Sequence, residues 1–81
     1  MSNELKSASS VKTGKKFSEK RNNIGFTIEE ISEKIFINKD YISAIEKGNY
    51  SIFPSESFAK AYFNKYKNFL KISPKFLFLP D

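Results

Sequence analysis

Phe26-Thr27-Ile28-Glu29-Glu30-Ile31-Ser32-Glu33-Lys34-Ile35, then Phe36-Ile37-Asn38, then Lys39-Asp40-Tyr41-Ile42-Ser43-Ala44-Ile45-Glu46-Lys47-Gly48 is the stretch that decides the fold. Thr27 stands three residues before Glu30, the spacing at which a hydroxyl and a carboxylate satisfy each other's free backbone donors in a capping box. Phe26 and Ile31 occupy the two positions of a hydrophobic staple across the same start. A helix therefore begins at Ile28 and buries Ile28, Ile31 and Ile35, a single stripe at helical spacing. Phe36-Ile37-Asn38 form a short turn, after which Asn38 or Asp40 caps a second helix over 39–47. That helix buries Tyr41, Ile42 and Ile45 and stops at Gly48, since glycine adopts the left-handed conformation past a helix end without steric penalty.

Two short helices joined by a turn of about three residues make a helix-turn-helix unit. Working outward from it, Gly25 ends an earlier helix over about 14–23, capped by Thr13 and contributing Phe17 and Ile24 as apolar contacts. Residues 1–12 are rich in Ser and Lys without sustained periodicity and read as a flexible tail. On the other side, 49–54 is a loop, Pro54 stands where a helix can start, and a long helix covers about 55–70. Ser73-Pro74 reads as an N-cap with proline at the first helical position, opening a last short turn through Phe76 and Leu77 that Pro80 ends. The expected architecture is all-α: five short helices around a helix-turn-helix, with the folded domain over 13–81.

A chain of 81 residues and 9.4 kDa has room for one small domain. Cysteine and histidine are both absent, which removes disulfide frameworks, thiolate or imidazole metal sites and every nucleophile that relies on a Cys or a His base. No cofactor is expected, and no acid, base and nucleophile constellation points to an enzyme. Glu29, Glu30 and Glu33 read as partners of a positive helix N-terminus and a solvated face, not as a carboxylate dyad. The net charge of +5 suggests an anionic partner. Its distribution is uneven: residues 1–23 carry six Lys/Arg and two Glu, residues 49–81 five Lys and two acids, but residues 24–48 only three Lys against five acids. The helix-turn-helix itself is thus acidic. Without an apolar N-terminal segment or an apolar run near 20 residues, the chain is expected to be cytoplasmic.

Gly14-Lys15-Lys16-Phe17, then Arg21, then Gly25-Phe26-Thr27-Ile28-Glu29-Glu30-Ile31-Ser32 resembles the start of a lambda-repressor-type (XRE-like) domain. Tyr41-Ile42-Ser43-Ala44-Ile45-Glu46-Lys47-Gly48-Asn49-Tyr50, then Phe53-Pro54, then Phe58-Ala59-Lys60-Ala61-Tyr62-Phe63-Asn64-Lys65-Tyr66 is similar to the cytoplasmic domain of the RodZ family of rod-shape morphogenesis proteins. The likeness spans about 13–80; Lys20, Ala61 and Asn64 depart from the family pattern. It implies a non-catalytic cytoskeletal adaptor that binds the bacterial actin MreB through the 55–70 helix, with membrane attachment only through a downstream segment that lies outside this sequence. It also implies that Arg21 and Glu46 form a structural ion pair, since repressor-like folds join these two positions.

Two faces compete as binding sites. On the 39–47 helix, the outer face holds Lys39, Asp40, Ser43 and Lys47, with Ala44 at its edge. If the domain is instead a DNA-binding regulator of the XRE type, Lys39, Ser43 and Lys47 are its contacts. The face is a poor reader, because no Arg, Gln or Asn projects from it toward base edges and Asp40 opposes phosphate. On the 55–70 helix, Phe58, Phe69, Tyr62, Tyr66, Ala59, Leu70 and Phe63 fall within an arc of about 140°, wider than the roughly 100° one packed side needs. With Phe63, Tyr66 and Leu70 toward the core, Phe58, Tyr62 and Phe69 form a partly exposed aromatic ridge beside Lys65, the composition of an interface anchor. The competing reading is that all seven residues are core. The family resemblance places aromatic partner contacts at Phe58 and Tyr62.

Overall fold

The computed structural model describes residues 8–74 of the chain. Four helices follow one another, α1 Ala8–Ile24, α2 Ile28–Ile35, α3 Lys39–Lys47 and α4 Glu56–Leu70, with no strand among the described residues. The fifth helix expected after Ser73-Pro74 falls on residues 75–81, outside the described range.

α1 is longer than its local signals suggest. It starts at Ala8, not after a Thr13 cap, so residues 8–12 of the expected tail are helical. The cause is tertiary: Ser10 is buried and its Oγ donates to the Gly48 carbonyl at 2.9 Å. The start of α1 thereby finds a partner at the far end of α3 that its own sequence does not advertise. At the other end, Gly25 takes φ 86°, its N–H donating to the Asn22 carbonyl while the Phe26 N–H donates to that of Arg21. This is a Schellman cap, with two of the last free carbonyls satisfied. Ile24, expected as an apolar contact, is instead 43% exposed just before that cap.

α2 opens on the full capping box, with the Glu30 N–H donating to Thr27 Oγ1 at 3.1 Å and the Thr27 N–H to Glu30 Oε1 at 2.8 Å. Ile31 and Ile35 are buried, whereas Ile28 packs half-buried at the rim of the core. Asn38 accepts the Asp40 N–H and caps α3, which ends on a second Schellman cap at Gly48, φ 70°. α3 buries Ile42 and Ile45 as expected, but Tyr41 is only half-buried and Ala44, placed by periodicity at the edge of the outer face, is 7% exposed. Ser55 caps α4 by accepting the Phe58 N–H.

The core is continuous from Phe17 of α1 through Ile31 and Ile35 of α2 and Ile42 and Ile45 of α3 to Ala59, Phe63, Tyr66 and Leu70 of α4. The Phe17 ring meets Phe63 edge-on at 5.0 Å and Tyr66 at 4.9 Å. The 49–55 loop also contributes: Tyr50 and Phe53 are buried, although their surroundings in sequence read as a loop. No helix among the described residues is long and apolar enough to cross a membrane.

Candidate functional site

Three arrangements deserve separation by what each can do chemically. The first is a polar junction inside the fold. Arg21, on the inner side of α1, reaches the end of α3, where its Nε donates to Glu46 Oε2 at 2.6 Å and its Nη2 to Oε1 at 2.9 Å. Its Nη1 donates to the Phe26 carbonyl at 2.9 Å, so one guanidinium joins α1, the turn before α2, and α3. Tyr66 of α4 completes the junction by donating its hydroxyl to Glu46 Oε2. The carboxylate hydrogen bonds strengthen the Arg21 proton and raise its pKa further. Tyr66 is pushed well above the ordinary phenol value, first because burial disfavours the phenolate and second because it donates to a carboxylate. A planar fork held on both carboxylate oxygens, with a further donor on a backbone carbonyl, is a fixed structural support. Tyr66 escaped the sequence reading, which treated it only as an apolar residue; nothing in its spacing from Glu46 signals the hydrogen bond.

The second arrangement is the outer face of α3. Lys39, Asp40 and Lys47 are exposed and Ser43 is half-buried. Lys39, Asp40 and Ser43 border an open groove of about 620 Å³ between the end of α1, the start of α2 and α3, together with Asn22, Thr27 and Glu29. Lys47 does not border this groove but an adjoining depression that shares Asp40 and Ser43 with it and extends to Asn49 and Ile52. Ser43 thus borders both concavities, Lys39 the groove and Lys47 the depression. Two carboxylates, Glu29 and Asp40, stand in the larger one, where phosphate would have to approach.

The third is the outer flank of α4. Ala59, Phe63, Tyr66 and Leu70 point inward, which leaves Phe58 37% exposed and Tyr62 half-buried. The two rings meet edge to face at 4.6 Å. Tyr41 of α3 supports both, at 5.8 Å from Phe58 and 5.4 Å from Tyr62, and is itself stacked on Phe53 at 4.8 Å. Phe69 lies outside this cluster and pairs with Phe26 at 6.0 Å, under the Lys34 ammonium 5.2 Å from the Phe26 ring. The ridge read from periodicity is thus two aromatic clusters, with exposed Lys65 between them along the helix. Tyr41 and Phe53 belong to the site as its foundation; the half-buried state of Tyr41 was not legible because a lone aromatic at an inward helical position reads as core.

Among the described residues, no group of three or more His, Cys, Asp or Glu side chains gathers into a metal-holding cluster. α2 and α3 meet at a three-residue turn and are clamped by α1 and α4, an arrangement that defines a helix-turn-helix domain. Residues 17–77 match the helix-turn-helix domain family, and the chain belongs to it. No curated protein and no solved structure is found to match the chain.

Proposed function

We propose that this chain is a non-catalytic adaptor domain of the RodZ type, which binds an actin-like filament protein of the MreB type through the outer flank of α4. The observation that carries the reading is the Phe58–Tyr62 pair: an edge-to-face aromatic couple on an outer helix face, held from beneath by Tyr41 and Phe53. Rings fixed in advance lose little freedom on binding, and clustered aromatics with a cation alongside are where binding energy concentrates at protein interfaces. Lys60 and Lys65 on the same helix suit an acidic partner surface. The outer face of α3 supports DNA recognition less well, for no Arg, Gln or Asn projects from it toward base edges and its groove contains Glu29 and Asp40.

Co-sedimentation with polymerised MreB tests the proposal. Phe58→Ala is expected to weaken binding by about 2 kcal/mol, roughly thirtyfold, with the helical circular dichroism and the cooperative melt retained because Phe58 is a surface ring. Undiminished co-sedimentation of a folded Phe58→Ala chain would sink the reading. A duplex DNA titration at two salt concentrations is the companion measurement: salt-dependent binding lost in Lys39→Ala and Lys47→Ala variants would favour the regulator reading instead.

A further inference from the structure

We propose that the acidic side of α2, ending in Phe36, docks on a second copy of this chain, which receives it on the lysine-bearing outer face of α1. Phe36 is 85% exposed, and its backbone is held left-handed at φ 59°. The turn geometry at this position asks for Gly or Asn. Phenylalanine is disfavoured there by its Cβ in the left-handed region, and its ring gains little burial in return. Local strain combined with exposure and no place in the core is the pattern of a residue kept for contact with something outside the fold.

The surroundings indicate what that surface is. Glu29 and Glu33 lie one turn apart on the same side of α2, and that side runs into the turn carrying Phe36. Both are exposed, and the ion pair found among the described residues, Arg21 with Glu46, uses neither. An apolar tip edged by carboxylates fits an apolar spot edged by ammonium groups, and the chain itself presents one. Val11 on α1 is 36% exposed, flanked by exposed Lys12 and by Lys15 one turn later. This part of α1 is firmly placed, because Ser10 is buried against the backbone of Gly48. The two patches sit on different helices and carry opposite charge. Their pairing is heterologous, so each copy still offers one free patch of each kind and association proceeds head to tail. This inference does not depend on the partner proposed for α4.

Sedimentation velocity of the full 81-residue chain, from about 10 µM to about 1 mM, tests it. The expected result is concentration-dependent association that weakens about tenfold between roughly 0.02 and 0.2 M ionic strength. Phe36→Gly should abolish association while raising the melting temperature, two effects that loss of folding cannot produce together. Glu29→Lys with Glu33→Lys should also abolish it, as should Lys12→Glu with Lys15→Glu, and an equimolar mixture of these two double variants should associate again. A chain that stays monomeric at about 1 mM in low salt, or a mixture no better than either variant alone, overturns the proposal. So does a monomeric chain whose Glu29/Glu33 double variant loses filament binding, which would assign this side of α2 to another protein.

Discussion

Among the described residues, Phe36 and Lys71 are the two non-glycine residues with positive φ, at 59° and 58°, and each ends a helix as Gly25 and Gly48 do elsewhere. The left-handed conformation is required at these ends because it turns the chain back so that free N–H groups reach the last helical carbonyls; the Phe36 N–H donates to Ser32 in this way at 2.9 Å. A Cβ in that region costs about 1–2 kcal/mol, and the Phe36 ring, 85% exposed, recovers little of it through packing. Phe36→Gly is therefore expected to stabilise the isolated domain by about 1 kcal/mol after the extra backbone freedom of glycine in the unfolded chain is allowed for. Chemical denaturation should show a higher midpoint with an unchanged slope; a lower midpoint would mean that the ring does pack.

At the scale of elements, the governing contact is the crossing of α1 over the end of α3. Gly14 is buried within α1, where glycine is about 1 kcal/mol worse than alanine by propensity. Its presence has a steric reason: a Cβ at that position would stand 2.3 Å from the Glu46 carbonyl oxygen and 2.6 Å from that of Ile45. Both obstacles are backbone, so neither can swing aside. Gly14→Ala should push α1 off α3, disturb the nearby Arg21–Glu46 pair and cost about 2–3 kcal/mol net, despite the better helix propensity. A thermal melt of the variant checks this, and an unchanged melting temperature would show that the helices can separate cheaply. The same crossing explains the extra length of α1. Helix starts at Thr27 and Asn38 were legible because a cap is a bond between residues two or three apart, whereas Ala8 to Thr13 join the helix through Ser10 and Gly48, 38 positions apart.

For the whole molecule, the two buried tyrosines set a pH limit. Tyr50 and Tyr66 are both raised from an ordinary value of 10.0, Tyr50 by burial and Tyr66 by burial with help from the Glu46 carboxylate. Above pH 10 the unfolded chain releases both phenolic protons while the folded chain keeps them. The unfolded state then binds fewer protons, and stability falls as pH rises. The slope is about 1.4 kcal/mol per pH unit for each tyrosine, so about 2.8 for the pair. Below pH 10 neither group contributes a slope. Absorbance of tyrosinate near 295 nm, followed together with helical circular dichroism, should show the part due to Tyr50 and Tyr66 rising in one cooperative step with unfolding; ionisation of all four tyrosines without helix loss would contradict it.

Much of this molecule was written into short stretches of its chain. The capping box at Thr27 and Glu30, the cap at Asn38 and the glycines at 25 and 48 act within a turn or two, so the residues alone determined α2, the turn and α3. Helical spacing placed Phe63, Tyr66 and Leu70 inward as one of two readings of the α4 arc, and simple counting showed the acidic character of the α2–α3 unit. Tertiary structure decided the rest. It buried Tyr50 and Phe53 from a loop, closed Tyr66 onto the Arg21–Glu46 pair, and divided an aromatic arc into one cluster over Tyr41 and another over Phe26. The reason is geometric. Caps and stripes depend on the fixed pitch of one helix, whereas the exposure of a ring depends on the angle and distance at which another helix passes it, and here those are set by the approach that Gly14 and Gly48 permit.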